Sequence, residues 1–212
     1  MRIHFAVFLT VFLTACAGAP KPVDRPTPPT NRAANSTLPH AIHPNSTLPS
    51  GALPDRVAYL QTDPRWSDHR LGNSRDTMGS DGCLVTAVAM AVSNLGYRLD
   101  PAQLNHRLTE ANAFTPQGWL VWSGVEVATK GHAKATYYDT VSPSLIRKCM
   151  TAGDYPLVRF ILPNGRSHWA MIVAQDAKGH YRMRDPLRAS RSPLIFPRPA
   201  SAFKSLRCVG AA

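Results

Sequence analysis

The sequence predicts an α+β domain in which helices come first and an antiparallel sheet follows. Apolar residues recur at helical spacing in the middle of the chain, and the pattern then changes to short β-rich runs separated by turn signals. Because the two kinds of element are segregated rather than alternating, a parallel α/β sheet is not expected. Of the 212 residues 44% are hydrophobic, which suffices for one packed domain with extensions.

The first predicted helix covers residues 82–95, and Gly96 follows it as a stop signal. Its apolar residues recur every three or four positions, at Leu84, Val85, Val88, Val92 and Leu95.

Two further helices are predicted from capping signals. One begins at Asp100, which is followed by Pro101, and it carries Leu104, Leu108 and Ala111 on one face. The other covers Ser142 to Met150, with Ser142 as the cap and Pro143 in the first turn.

Three strands are predicted after the helices, and they form an antiparallel meander. Asn164-Gly165 is the turn signal between the first two strands, and Ala177-Lys178-Gly179 is the turn between the second and the third. The strands cover Tyr155–Leu162, His168–Gln175 and His180–Arg184.

The N-terminus has the pattern of an export signal. A short positive start precedes the apolar run from Phe5 to Leu13, and small residues follow up to Cys16. The stretch LTAC-AG resembles the lipobox of bacterial lipoproteins, which implies that residues 1–15 are a signal peptide and that Cys16 carries acyl chains such as palmitate. An ordinary signal that happens to contain a cysteine is the alternative. The resemblance implies anchoring in the bacterial cell envelope, at the outer membrane and facing the periplasm, since no acidic residue follows at Ala17.

Residues 16–54 are predicted to be a tether, and residues 55–212 the folded domain. The tether is dense in proline and polar residues, and the sequence NSTLP occurs in it twice, at Asn35–Pro39 and Asn45–Pro49. Such composition favours extended polyproline II and cannot bury a core.

The formal net charge of +11 favours a location near anionic lipid and glycan, although a generally solvated basic surface explains it as well. The basic residues are scattered and do not alternate with aromatic residues in a stripe, so nucleic acid is not expected as a partner. In an oxidising periplasm Cys149 and Cys208 either form a disulfide or remain two separate buried thiols.

Cys83 is the candidate nucleophile, because it opens the first predicted helix. A helix start offers unpaired N–H groups and positive potential, which favour a thiolate and a developing oxyanion. Gly79 and Gly82 are expected to let the backbone come close to a bound acyl group. The alternative is that Cys83 is a small buried core residue.

His168, at the start of an apolar strand, is the candidate base, and Asp185 is the residue expected to orient it. A simple hairpin centred on Lys178 pairs Met171 with Asp185, which leaves His168 and Asp185 about 10 Å apart at ~3.3 Å per residue. A β-bulge or a strong twist is therefore predicted between them. Asp176 is a less favoured candidate for the same role.

GCLVTAVAM with Cys83, followed by SHW and then DP, resembles the papain-like cysteine peptidases related to the bacteriocin-leader-processing enzymes. YLQTDPRW, from Tyr59 to Trp66, is similar to the exported branch of that group. The resemblance covers about Tyr59 to Pro186 and implies a papain-like fold, in which N-terminal helices carrying the cysteine pack on a sheet carrying the histidine and the aspartate. It also implies that Gln61 is the oxyanion-hole donor, although Gln61 lies 22 residues before Cys83, farther than in the leader-processing enzymes.

The predicted function is a membrane-anchored cysteine peptidase that cleaves peptide or cell-wall peptide amides through an acyl-enzyme at Cys83. The alternatives are a cell-wall endopeptidase or amidase of the NlpC type and a non-catalytic binding lipoprotein with the same cleft. No metal and no cofactor are predicted, since the sequence has neither CxxC nor HExxH. Trp66, Trp119, Trp122 and Trp169 are expected in the core or as walls of the cleft.

Overall fold

The computed structural model describes residues 51–212. The predicted signal peptide of residues 1–15, the lipidation site Cys16 and most of the predicted tether lie outside the described residues. Within residues 51–212, no helix combines the length and the apolar character that a membrane span needs.

Five α-helices and a six-stranded sheet make up this range, so the α+β class is confirmed. The helices are α1 (Met78–Asp81), α2 (Cys83–Asn94), α3 (Pro101–Glu110), α4 (Gly124–Ala128) and α5 (Pro143–Thr151). The strands are β1 (Ala133–Tyr138), β2 (Tyr155–Ile161), β3 (Ser167–Gln175), β4 (Tyr181–Arg184), β5 (Leu194–Ile195) and β6 (Ser205–Ala211), with a 3₁₀ turn at Ala200–Ala202.

The caps of the three predicted helices agree with the sequence patterns. Asp100 accepts from the backbone of Gln103 in a capping box at the start of α3, and Ser142 accepts from the backbone of Leu145 at the start of α5. Gly82 is the residue that precedes α2, so the helix itself begins at Cys83.

The strand order is β1-β6-β2-β3-β4-β5, and every neighbouring pair is antiparallel. The prediction of a meander is right for β2, β3 and β4. The prediction that all helices precede the sheet is wrong, because β1 forms before α5 and the last strand, β6, inserts between β1 and β2.

The sheet separates two hydrophobic clusters, because alternate residues of a strand point to opposite faces. On the first face, Leu157, Met171 and Val209 pack with the apolar residues of α2 and α3. On the second face, Val158, Phe160, Ala170, Ile172 and Leu206 pack with Ile146 of α5. Cys149 of α5 and Cys208 of β6 form a disulfide on the second face, which is one of the two alternatives that the sequence left open.

Residues 52–61, called here the N-terminal segment, run along the sheet and lead into the candidate site. Ala52 pairs with Ala174, and the Leu53 amide donates to the Val173 carbonyl at 2.7 Å. The Pro54 carbonyl accepts from the hydroxyl of the buried Tyr155 at 2.7 Å. Residues 52–54, which the sequence pattern assigns to the end of the tether, therefore bind the sheet.

Candidate active site

Cys83 is the first residue of α2 and is 9% exposed. The chain can turn from α1 into α2 at this point because Gly82 has no side chain. A Cβ at Gly82 would lie 2.3 Å from the Met78 carbonyl oxygen, and one at Gly79 would lie 3.0 Å from the Ser67 carbonyl oxygen. Both glycines therefore allow close approach of the protein's own backbone, and Gly79 also lines a cavity with Cys83.

His168 lies at the start of β3, buried at 1% exposure, and its Nε2 is 2.6 Å from Asp185 Oδ1. His168 packs against Phe160 in an edge-to-face arrangement, with the two ring centroids 5.4 Å apart. Asp185 Oδ1 also accepts from the Leu187 amide at 2.9 Å. Packing on one side and hydrogen bonds on the other therefore fix both the ring and the carboxylate.

A β-bulge in β3 brings His168 and Asp185 together. Near the turn the strands pair as the simple hairpin predicts, with Gln175 opposite Tyr181 and Ala174 opposite Arg182. The register then shifts by one residue between Ile172 and Ala174, so that Met171 lies opposite Arg184 instead of Asp185. A shift of one residue changes the face to which a side chain points, and it puts Asp185 on the face of His168. The predicted bulge is confirmed.

The His168 ring and Cys83 line one cavity. With Nε2 bound to Asp185, Nδ1 is the ring nitrogen left for the sulfur of Cys83. Burial lowers the pKa of His168, but hydrogen bonds and charge interactions with Asp185 and Cys83 outweigh burial and raise the pKa to about 9. The ring is therefore held as an imidazolium at neutral pH.

The carboxylate of Asp185 is held ionised in the same arrangement. Burial raises its pKa, but the hydrogen bond and charge of His168 outweigh burial and leave the pKa below its usual value. The Leu187 amide and the Arg188 guanidinium, whose Nε is 3.9 Å from Asp185 Oδ2, act in the same direction. Asp176 lies instead in the turn between β3 and β4 and accepts from the backbone of Lys178 and His180, so it does not take the place of Asp185.

Gln61 reaches the site despite its distance from Cys83 in the sequence. Its side chain is buried, and Nε2 donates one hydrogen to the Gly79 carbonyl at 2.8 Å. Its backbone amide donates to the Pro186 carbonyl at 2.9 Å, which ties it to the residue after Asp185. Gln61, Cys83 and His168 line one cavity of about 140 Å³, so the structure brings these three predicted residues together.

A second cavity of about 520 Å³ opens on the other side of Cys83. Trp119, Trp122 and Trp169 form its aromatic walls, whereas Trp66 is a core residue at 1% exposure. Of the four tryptophans expected in the core or in the cleft walls, three therefore line this cavity and one lies in the core.

Two polar contacts near the site have no signal in the sequence. Arg166, in the turn between β2 and β3, donates to the Ser80 carbonyl at 2.9 Å and to Asp81 at 3.1 Å, and so links the sheet to α1 beside the small cavity. Arg184, next to Asp185, makes two 2.7 Å hydrogen bonds with Asp55 of the N-terminal segment. Both contacts join residues more than 80 positions apart, so no local pattern predicts them.

No protein-family model matches this chain, and no curated protein matches it.

Proposed function

We propose that this protein is a thiol amide hydrolase with a Cys83-His168-Asp185 triad, of papain-like fold and related to the leader-processing peptidases. The observation that carries the proposal is the buried His168 ring, which is bound to Asp185 at 2.6 Å and lines one cavity with the only cysteine of residues 51–212 that is not in a disulfide. A merely structural histidine needs no such combination of a thiol on one side and a carboxylate on the other.

In this mechanism the sulfur of Cys83 attacks the amide carbonyl, and a C–S bond forms as the C–N bond breaks. His168 gives its proton to the leaving amine. Water then attacks the acyl-enzyme, His168 takes the proton of that water, and the C–S bond breaks to release the carboxylic acid. Asp185 orients the ring and stabilises its charged form throughout.

Gln61 and the start of α2 stabilise the oxyanion. The amide of Gln61 is fixed by the Gly79 carbonyl, and its remaining N–H is the proposed donor to the oxyanion in the cavity that Gln61 and Cys83 both line. Donors that are already oriented stabilise developing charge without reorganising, and loss of one such donor typically costs about 10²–10³ in kcat.

The substrate in this proposal is a peptide amide of the bacterial envelope, and the enzyme is held there by lipid on Cys16. A periplasmic location agrees with the disulfide between Cys149 and Cys208, since such bonds persist in oxidising compartments.

The test compares wild-type protein with Cys83→Ala on a peptide library and on purified muropeptides, with products identified by mass spectrometry. We expect hydrolysis by the wild type and none by the variant, while thermal unfolding of the two remains similar because the substitution removes a single sulfur atom and alanine favours the helix. Equal product formation by Cys83→Ala contradicts the proposal. Cleavage of one substrate class alone identifies protein or cell-wall peptide as the substrate.

A further inference from the structure

We propose that the substrate places a bulky apolar side chain of its acyl part in the large cavity, and that the leaving amine carries a small residue. This inference rests on the proposed function and specifies the substrate class of the same site. Three observations lead to it: the residues that line each cavity, the apolar composition of the large cavity and the small volume of the other.

The positions of the cavities relative to the triad determine which part of the substrate each receives. Cys83 lines both cavities, so the scissile carbonyl lies at their junction. His168 lines the small cavity and not the large one. Since His168 gives its proton to the leaving amine, the amine lies on the side of the small cavity, and the acyl part extends into the large cavity.

The large cavity has the size and the lining of a ligand pocket. Its volume of about 520 Å³ falls within the range of small-molecule pockets, about 300–1,000 Å³. Besides the three tryptophans, Leu71 and Leu120 contribute apolar surface. Acidic and basic side chains also line the large cavity. Its lining is therefore distinguished by apolar area and not by net charge.

Trp119 at the rim of this cavity is 71% exposed. Its backbone is held in a turn, where its amide and its carbonyl both bond with Thr115, but its ring is left largely in water. A ring of this size next to a nucleophile would lose contact with water when an apolar substrate group covers it.

The small cavity is limited in size, and a link between the Arg166 side chain and α1 forms part of its lining. At about 140 Å³ it lies below the usual range for ligands, and Arg166 in its lining bonds with Ser80 and Asp81. A residue such as glycine or alanine fits such a space, whereas an aromatic residue requires this link to open.

The first test measures the rate at which Cys83 is alkylated at pH 6 by iodoacetamide and by N-benzyl iodoacetamide, with the modified peptide identified by mass spectrometry. We expect the benzyl reagent to react about tenfold faster. Partial burial of its aromatic ring in the large cavity stabilises the bound reagent by enough to give a factor of that size. Trp119→Ala should lower this ratio severalfold. Val127→Ala is the matched control, because Val127 is also an exposed apolar residue, at 63%, but lines neither cavity.

The outcomes of the alkylation test are distinguishable. Fast reaction with iodoacetamide but no advantage for the benzyl reagent overturns this inference and leaves the proposed hydrolase intact. Reaction with both reagents no faster than with a model thiol contradicts the hydrolase, and this inference with it.

The second test uses peptides that contain one phenylalanine in an alanine background. Cleavage is expected within two residues on the C-terminal side of the phenylalanine, with alanine as the new N-terminus, and Arg166→Ala should admit larger residues there. Cleavage on the N-terminal side of the phenylalanine, or equal cleavage of an all-alanine peptide, overturns the inference.

Discussion

Asp185 controls the charge of the His168 ring, and this predicts how Asp185→Asn behaves. The substitution removes the negative charge that raises the pKa of His168, so that pKa falls and the ring loses its proton at lower pH. The limb of the kcat/KM profile on the alkaline side should move to lower pH, and kcat should fall by about 10²–10⁴-fold.

The measurement is a pH–rate profile of the wild type and of Asp185→Asn on the peptide identified in the library. Asp176→Asn is the matched control, since Asp176 also accepts hydrogen bonds near a histidine but lies in the turn between β3 and β4. A profile for Asp185→Asn that keeps its alkaline limb would contradict the role of Asp185.

His168 also makes the stability depend on pH. Its pKa is about 9 in the folded protein and about 6.5 in the unfolded chain, so the folded state binds the proton more tightly. The resulting stabilisation is fully present below pH about 6.5 and is lost as the pH rises through about 9.

We therefore expect the free energy of unfolding, measured in urea, to fall between pH 6.5 and pH 9.5. In His168→Gln this fall should be smaller, because the titrating group is gone. Identical pH dependence in the two proteins would mean that the imidazolium does not stabilise the fold.

At the level of elements, the junction between α1 and α2 positions Cys83 and tolerates no side chain. Gly82→Ala would place a Cβ 2.3 Å from the Met78 carbonyl oxygen, so the helices must separate. We expect a loss of about 1–3 kcal/mol in the free energy of unfolding, as for other overpacked sites, together with slower alkylation of Cys83.

Ser123→Ala is the matched control for Gly82→Ala. Ser123 also precedes a helix, α4, but it is exposed and its side chain makes no capping hydrogen bond. Its substitution should change the stability by less than about 0.5 kcal/mol. A similar loss in the two variants would show that the Gly82 contact has no special cost.

Local patterns predicted the elements that local physics determines. The cap and proline at Ser142-Pro143, the apolar spacing after Cys83 and the turn at Asn164-Gly165 each lie within a few residues of the structure they specify. The bulge in β3 was predicted as well, but only because His168 and Asp185 had been given a common role.

The strands that were missed depend on distant partners. Ser205–Ala211 becomes β6 by pairing with Ala133–Tyr138 and Tyr155–Ile161, which lie far away in the sequence. A strand between two others needs no alternation of polar and apolar residues, because its burial is determined by the neighbouring strands and by the helices on both faces. The links of Arg166 to α1 and of Arg184 to the N-terminal segment have no local signal for the same reason.

At the scale of the whole molecule, the proposed anchor and the proposed catalysis are separable. Cys16→Ser should move the protein from the membrane fraction to the soluble fraction, because the acyl chains that bury apolar area in the bilayer are lost. Its turnover of a soluble peptide should be unchanged. The measurement is fractionation by ultracentrifugation, followed by assay of both fractions, with Cys83→Ala as the variant that should stay with the membrane. Continued sedimentation of Cys16→Ser with membranes would contradict the lipid anchor.

The N-terminal segment determines how a mechanical load would reach the catalytic machinery. Tension applied to the chain ahead of residue 51 would first meet the Leu53–Val173 hydrogen bond, and then the paired contacts of Asp55 with Arg184. Both lie before Gln61 in the chain, and both transfer the force to the sheet. Pulling at this end would therefore load β3, which carries His168, and β4, which leads into Asp185, before it displaced Gln61.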